Sequence, residues 1–120
     1  MNNDPLDKKS IINKFLGIFK NLAQKRGITI IDREKNLRTL EEMGLTKYDV
    51  QTELMKLVCE DYIDGPKQDH DPGYAGEIWE FGKKIENEEI YIKIKLASND
   101  KPVCLSFHHT EKRIVYPFKK

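Results

Sequence analysis

The sequence predicts an α+β fold in which N-terminal helices pack on one face of a small antiparallel β-meander. Three observations carry this. Apolar residues recur at helical spacing from Leu6 to Val58. From Ile78 to His109 they alternate with polar ones in three runs joined by short connections. Between the halves lies a polar stretch punctuated by glycine and proline. The boundaries follow: one domain over residues 1–120, with a helical part over 6–58, a loop over 64–77 and an antiparallel sheet over 78–118.

A chain of 120 residues matches one ordinary domain. Its 34% charged residues exceed the roughly 25% of a typical soluble domain, and the periodic apolar blocks assign that surplus to a solvated surface. No run approaches the roughly 18 apolar residues of a membrane span. Residues Met1 to Pro5 lack the basic and apolar blocks of a secretory signal. With two cysteines, Cys59 and Cys104, this predicts reduced thiols and a cytoplasmic location. The net charge of +1 leaves no global basic footprint, so any phosphate site must be local.

The first helix is expected from Leu6 to Arg26, with Ile11, Ile12, Phe15, Ile18, Phe19 and Leu22 at helical spacing and Gly27 as its stop. Ile28 to Ile31 is β-branched and fits either a short strand or an extended connector. Asp32 is placed to cap a second helix through Leu37, Leu40 and Met43, ended by Gly44. Thr46 and Asp49 form a capping-box pattern opening a third helix with a buried stripe of Val50, Leu54, Leu57 and Val58. Gly65-Pro66 ends the helical half, and Lys67 to Gly76 reads as an exposed loop. The Asp69-His70-Asp71 cluster within it is a poor metal site, because three adjacent residues do not converge on one ion and no second ligand cluster follows. No metal or other cofactor is expected.

The strand runs are Ile78 to Ile85, Glu89 to Leu96 and Pro102 to His109. Arg113 to Phe118 fits an edge strand or a coil. Alternation sorts each run by face. A turn at Asn87-Glu88 sets Ile85 opposite Ile90, Phe81 opposite Ile94, Trp79 opposite Leu96, Lys84 opposite Tyr91 and Glu80 opposite Lys95. In the second hairpin Leu96 faces Val103, Ile94 faces Leu105, Ile92 faces Phe107, Lys93 faces Ser106 and Tyr91 faces His108. Both registers keep apolar with apolar. The helices must cover the apolar face, bearing Trp79, Phe81, Ile92, Ile94, Leu105 and Phe107. The face left open carries Glu80, Lys84, Tyr91, Lys93, Lys95, Ser106 and His108.

Such a face is either an ordinary solvated surface or a phosphate site, since strands about 4.8 Å apart let several of these side chains reach one phosphate. A serine hydrolase is excluded by the missing Gly-x-Ser-x-Gly elbow. Cys104 and His108, four residues apart along one strand, stand about 13 Å apart, too far for a thiolate–imidazole pair.

The ordered series Asp61-Tyr62-x-x-Gly65-Pro66, Trp79-x-Phe81-Gly82-Lys83, Tyr91-Ile92-Lys93, Ser106-Phe107-His108 and Tyr116-Pro117-Phe118 resembles the MqsR-like toxins of bacterial type II toxin–antitoxin systems. The likeness runs from Leu37 to Phe118. It implies a RelE-like fold, cleavage of messenger RNA without a metal, and inhibition by an antitoxin encoded beside the toxin gene. It maps the catalytic set onto His108, Lys93, Tyr91 and Ser106, and RNA contact onto Lys95, Lys84, Glu80 and Lys67. The better-known branch has a lysine in place of His108 and a glutamine in place of Glu80, and it stops soon after its last strand.

RNA scission needs the 2′-hydroxyl deprotonated, the phosphorane neutralised and the 5′-oxygen protonated. Histidine, as a residue type titrating near pH 6.5, suits either proton transfer. Lysines suit the phosphorane charge, and Tyr91 suits stacking on a base or donation to phosphate. The alternative is a non-catalytic interaction module, a decayed toxin that retains only its antitoxin-binding surface.

Overall fold

The computed structural model describes residues 5–69, 76–110 and 112–119. His70 and Asp71 of the acidic cluster, and Pro72 and Gly73 of the expected loop, lie outside them. Helix α1 (Pro5–Arg26) buries Ile12, Leu16, Phe19 and Ala23, an i, i+4, i+7, i+11 stripe. Ile11 and Ile18 flank that stripe and stay about half exposed. Helix α2 (Glu34–Met43) ends at Gly44, whose left-handed φ of 65° suits a residue without Cβ. Asp32 does not cap it: the N-cap position falls one residue later, on Arg33, and Asp32 pairs with Lys47 at 2.6 Å. Helix α3 (Lys47–Met55) opens on the expected capping box, with Asp49 N donating to Thr46 Oγ1 and Thr46 N donating to Asp49 Oδ2. Val50, Leu54 and Leu57 are buried, but Val58 is exposed, because the chain has left the helix and helical spacing no longer places it.

The sheet has five strands: β1 (Thr29–Ile30), β2 (Tyr62–Gln68), β3 (Glu77–Ile85), β4 (Glu88–Ala97) and β5 (Lys101–His109). Their order is β1-β5-β4-β3-β2, antiparallel throughout except for the parallel β1–β5 pair. The meander is therefore β2–β5, and the start of the expected 64–77 loop is strand. Gly65 and Pro66 sit at irregularities in β2, which an edge strand accommodates because a proline there need not donate to a second neighbour.

Two register expectations are corrected. In the β3–β4 hairpin the turn is Glu86-Asn87, both at positive φ, with Ile85 opposite Glu88. This two-residue turn of the twist-matching kind slides the pairing by two. Phe81 faces Ile92, Trp79 faces Ile94 and Glu80 faces Lys93. A slip of two preserves parity, so the faces survive while the partners change. In the β4–β5 hairpin Tyr91–His108, Ile92–Phe107 and Lys93–Ser106 pair as expected. A bulge then intervenes: Ile94 faces Cys104 and Lys95 faces Val103, leaving Leu105 as the extra residue. Cys104, expected on the open face, is buried in the core cluster.

Phe15 stacks on Trp79 with centroids 4.4 Å apart, joining α1 to the sheet, and Phe19, Phe81, Ile92 and Phe107 are fully buried around them. Beyond His109 the described residues of the tail are coil and turn rather than strand. Cys59 and Cys104 are unpaired and buried. No helix among the described residues is long and apolar enough to cross a membrane.

Candidate functional site

The register places Tyr91 and His108 side by side on β4 and β5, their ring centroids 5.7 Å apart. They line a groove of about 830 Å³. One wall is α2, through Lys35, Arg38, Thr39 and Glu42; the other is the C-terminal tail with Ile63 and Asp64 of β2. Lys112 and Arg113 sit where the tail begins.

Buried polar residues of α2 set the first wall. Asn36 Nδ2 donates to the Ile31 and Leu105 carbonyls at 2.9 and 3.0 Å, and Asn36 Oδ1 accepts from Phe107 N at 2.9 Å. One turn on, Thr39 Oγ1 accepts from His109 N at 3.2 Å. These bonds satisfy backbone groups of β5 where it has no further strand neighbour, and they clamp α2 along that edge. With Asn36 and Thr39 on the strand, Lys35 and Arg38, three apart and so on one face, line the groove.

Gly82 admits the second wall. A Cβ there would stand 2.8 Å from Ile114 Cδ1 and 2.9 Å from the Tyr116 hydroxyl, so the bare backbone lets these side chains lie close on the sheet, and a larger residue would make them shift. Tyr116 donates to Glu89 Oε2 at 2.9 Å, and the Phe118 and Tyr62 rings meet at 5.8 Å. The face expected to be open is thus partly roofed by the chain's own end.

At the floor, the Tyr91 hydroxyl donates to Glu80 Oε1, and Lys67 Nζ pairs with Glu80 Oε2 at 2.7 Å and Asp64 Oδ2 at 2.9 Å. Burial first, then this bond to a carboxylate, raises the Tyr91 pKa. The two carboxylates in turn raise that of Lys67, Glu80 before Asp64. Lys93 Nζ lies 5.6 Å from the Tyr91 ring centroid. His108 Nδ1 is 2.9 Å from the His109 carbonyl. Since a carbonyl only accepts, this contact is a hydrogen bond when Nδ1 carries the proton, and in that neutral tautomer Nε2 is the acceptor.

No protein-family model, curated protein or solved structure matches this chain.

The structure brings together His108 and Tyr91 in the groove; Lys93 lies against the Tyr91 ring without lining the groove, and Glu80 and Lys67 stand behind the phenol. It separates the other sequence-predicted residues. Ser106 is 3% exposed and does not line the groove. Lys95 is 1% exposed and paired with Asp69 at 2.5 Å, so it is not available to RNA. Glu80, 7% exposed, bonds to the Tyr91 hydroxyl and to Lys67, and it faces Lys93 rather than Lys95. Lys84 lines a different hollow, with Met43, Asp49 and Glu53. Cys104 is inert as a nucleophile, since burial pushes its thiol up to about 12.

The cations that do line the groove, Lys35, Arg38, Lys112 and Arg113, were not among the sequence-predicted residues. Set against Glu42 and Asp64, they make the groove locally basic in a chain of net charge +1, although Arg38 also pairs with Glu34 at 2.5 Å. The i, i+3 spacing of Lys35 and Arg38 and the Lys112-Arg113 dipeptide were the available signals. Among the described residues no His, Cys, Asp and Glu group is arranged to hold a metal ion. His109, 3.5 Å from Glu42 and from Glu88, joins α2 to β4.

Proposed function

We propose that this chain is the toxin of a bacterial type II toxin–antitoxin pair, an MqsR-like endoribonuclease of RelE-like fold that cleaves messenger RNA in the cytoplasm. One observation supports it above the others: the imidazole of His108 lies beside the Tyr91 phenol ring in a groove lined by four cations. His108 Nε2 takes the proton of the 2′-hydroxyl, whose oxygen attacks phosphorus. The bond from phosphorus to the 5′-oxygen breaks, Lys93 supplies the proton to that oxygen, and a 2′,3′-cyclic phosphate remains. Arg38 and Arg113 neutralise the phosphorane. Tyr91, its proton held by Glu80, serves by stacking rather than by donation to phosphate.

The antitoxin is expected to cover this groove, since that excludes the phosphodiester directly. The deciding experiment incubates purified protein with a transcript in the presence of a chelator and maps the new ends. Cyclic-phosphate ends that vanish in His108→Ala support the reading; an intact transcript rejects it. Co-expression with the neighbouring gene should give a complex and relieve growth arrest.

A further inference from the structure

The two walls of the groove differ in chemistry. The α2 wall offers Lys35 and Arg38, whereas the wall facing it is mostly apolar, built from Ile63, Ile114, Val115 and Pro117 beside Asp64, whose carboxylate pairs with Lys67. Val115 is 75% exposed and Pro117 is exposed, so this strip is not core. Its position is preset on three sides by the Gly82 gap, the Tyr116–Glu89 bond and the Phe118–Tyr62 contact. A preset wall holds a ligand at lower ordering cost than one that must form on binding. Tyr91, locked by Glu80, presents its ring between the walls. Phosphate recognition alone requires cations and no apolar wall. A phosphodiester carrying a base requires both, with a ring to stack on.

We propose that the C-terminal tail and Ile63 seat one unpaired base of the nucleic acid against Tyr91, while Lys35, Arg38 and Arg113 hold the adjoining phosphates. The tail is then a specificity element, and a duplex, whose base faces are covered, does not enter. This rests on the RNA-cleaving reading of the same groove.

The test uses a fluorescent single-stranded oligonucleotide without 2′-hydroxyls, which cannot be cleaved, and an abasic strand of equal length and charge. The full-length protein should bind the base-carrying strand at least about fivefold more tightly, the low end of one base–aromatic stack. Val115→Ser with Pro117→Ser should lower that ratio, the Tyr91 stack remaining, and leave abasic binding unchanged. Arg38→Glu should weaken both strands alike, because phosphate contacts carry no base information. Far-UV circular dichroism confirms that the variants fold. A wild-type ratio near one, or a ratio that the double variant does not move, overturns the base seat while leaving nucleic-acid binding in place. Failure to bind either strand overturns both.

Discussion

The hydroxyl of Tyr91 donates to the carboxylate of Glu80, a residue 7% exposed that also pairs with Lys67 Nζ at 2.7 Å. Burial and the neighbouring negative charge both disfavour the phenolate. The link fixes the ring in place and withholds its proton from any ligand.

The pH dependence of stability follows from it. Tyr91 and Tyr116 both have raised pKa values, by burial first and then by bonds to Glu80 and Glu89. Each holds its proton more tightly folded than unfolded. The unfolded chain therefore loses protons first, and stability, fully present below pH about 10, falls as pH rises above it. Denaturant midpoints taken from pH 8 to 11 should decline above 10, and Tyr91→Phe should lessen the decline. A flat profile contradicts the assignment.

His108→Ala should lower RNA cleavage by about 10²–10⁴, the usual loss for a proton-transfer group, with an unchanged far-UV spectrum. His109→Ala should keep cleavage within about threefold, because its two 3.5 Å carboxylate contacts are part-exposed pairs of small worth. Initial rates on one transcript compare them. Equal losses in the two variants would remove His108 from its role.

Gly82→Val should dislodge the tail. The new side chain meets Ile114, Tyr116 and the Ile63 methyl at 3.2 Å, and overpacking of this kind costs about 1–3 kcal/mol. Trypsin should cut after Lys112 or Arg113 faster than in wild type, with the sheet intact. Unchanged proteolysis would mean that the tail does not need the gap.

Asn36→Ala removes bonds to Ile31, Leu105 and Phe107 at a position 1% exposed. Buried backbone groups left without partners should cost about 2–4 kcal/mol. Equilibrium unfolding measures it. Hydrogen exchange should show Phe107 N–H losing protection first. A cost below about 1 kcal/mol, that of an ordinary hydrogen bond, would show that α2 is held otherwise.

The helices and the strand faces were legible because each depends on local spacing. The period of Ile12, Phe19 and Val50 and the alternation of Ile90, Ile92 and Ile94 decide which side of an element is apolar, whatever it packs against. The pairing of Tyr91 with His108 followed from the same alternation. What lay outside the sequence's reach was set by contacts between distant residues. Parity cannot tell a turn at Glu86-Asn87 from one at Asn87-Glu88, which shifts every partner by two residues, so the partners of Phe81 and Glu80 were missed. A single bulge at Leu105 reverses the faces of Cys104 and Val103 without a mark in the alternation. The groove itself is wholly tertiary. Asn36 clamps α2 to β5 from 71 residues away, and the tail lies down because Gly82 has no side chain. Chain patterning thus determined the layers and the floor residues. Only folding decided which cations reach them, since that depends on where two walls, far apart in the chain, come to rest.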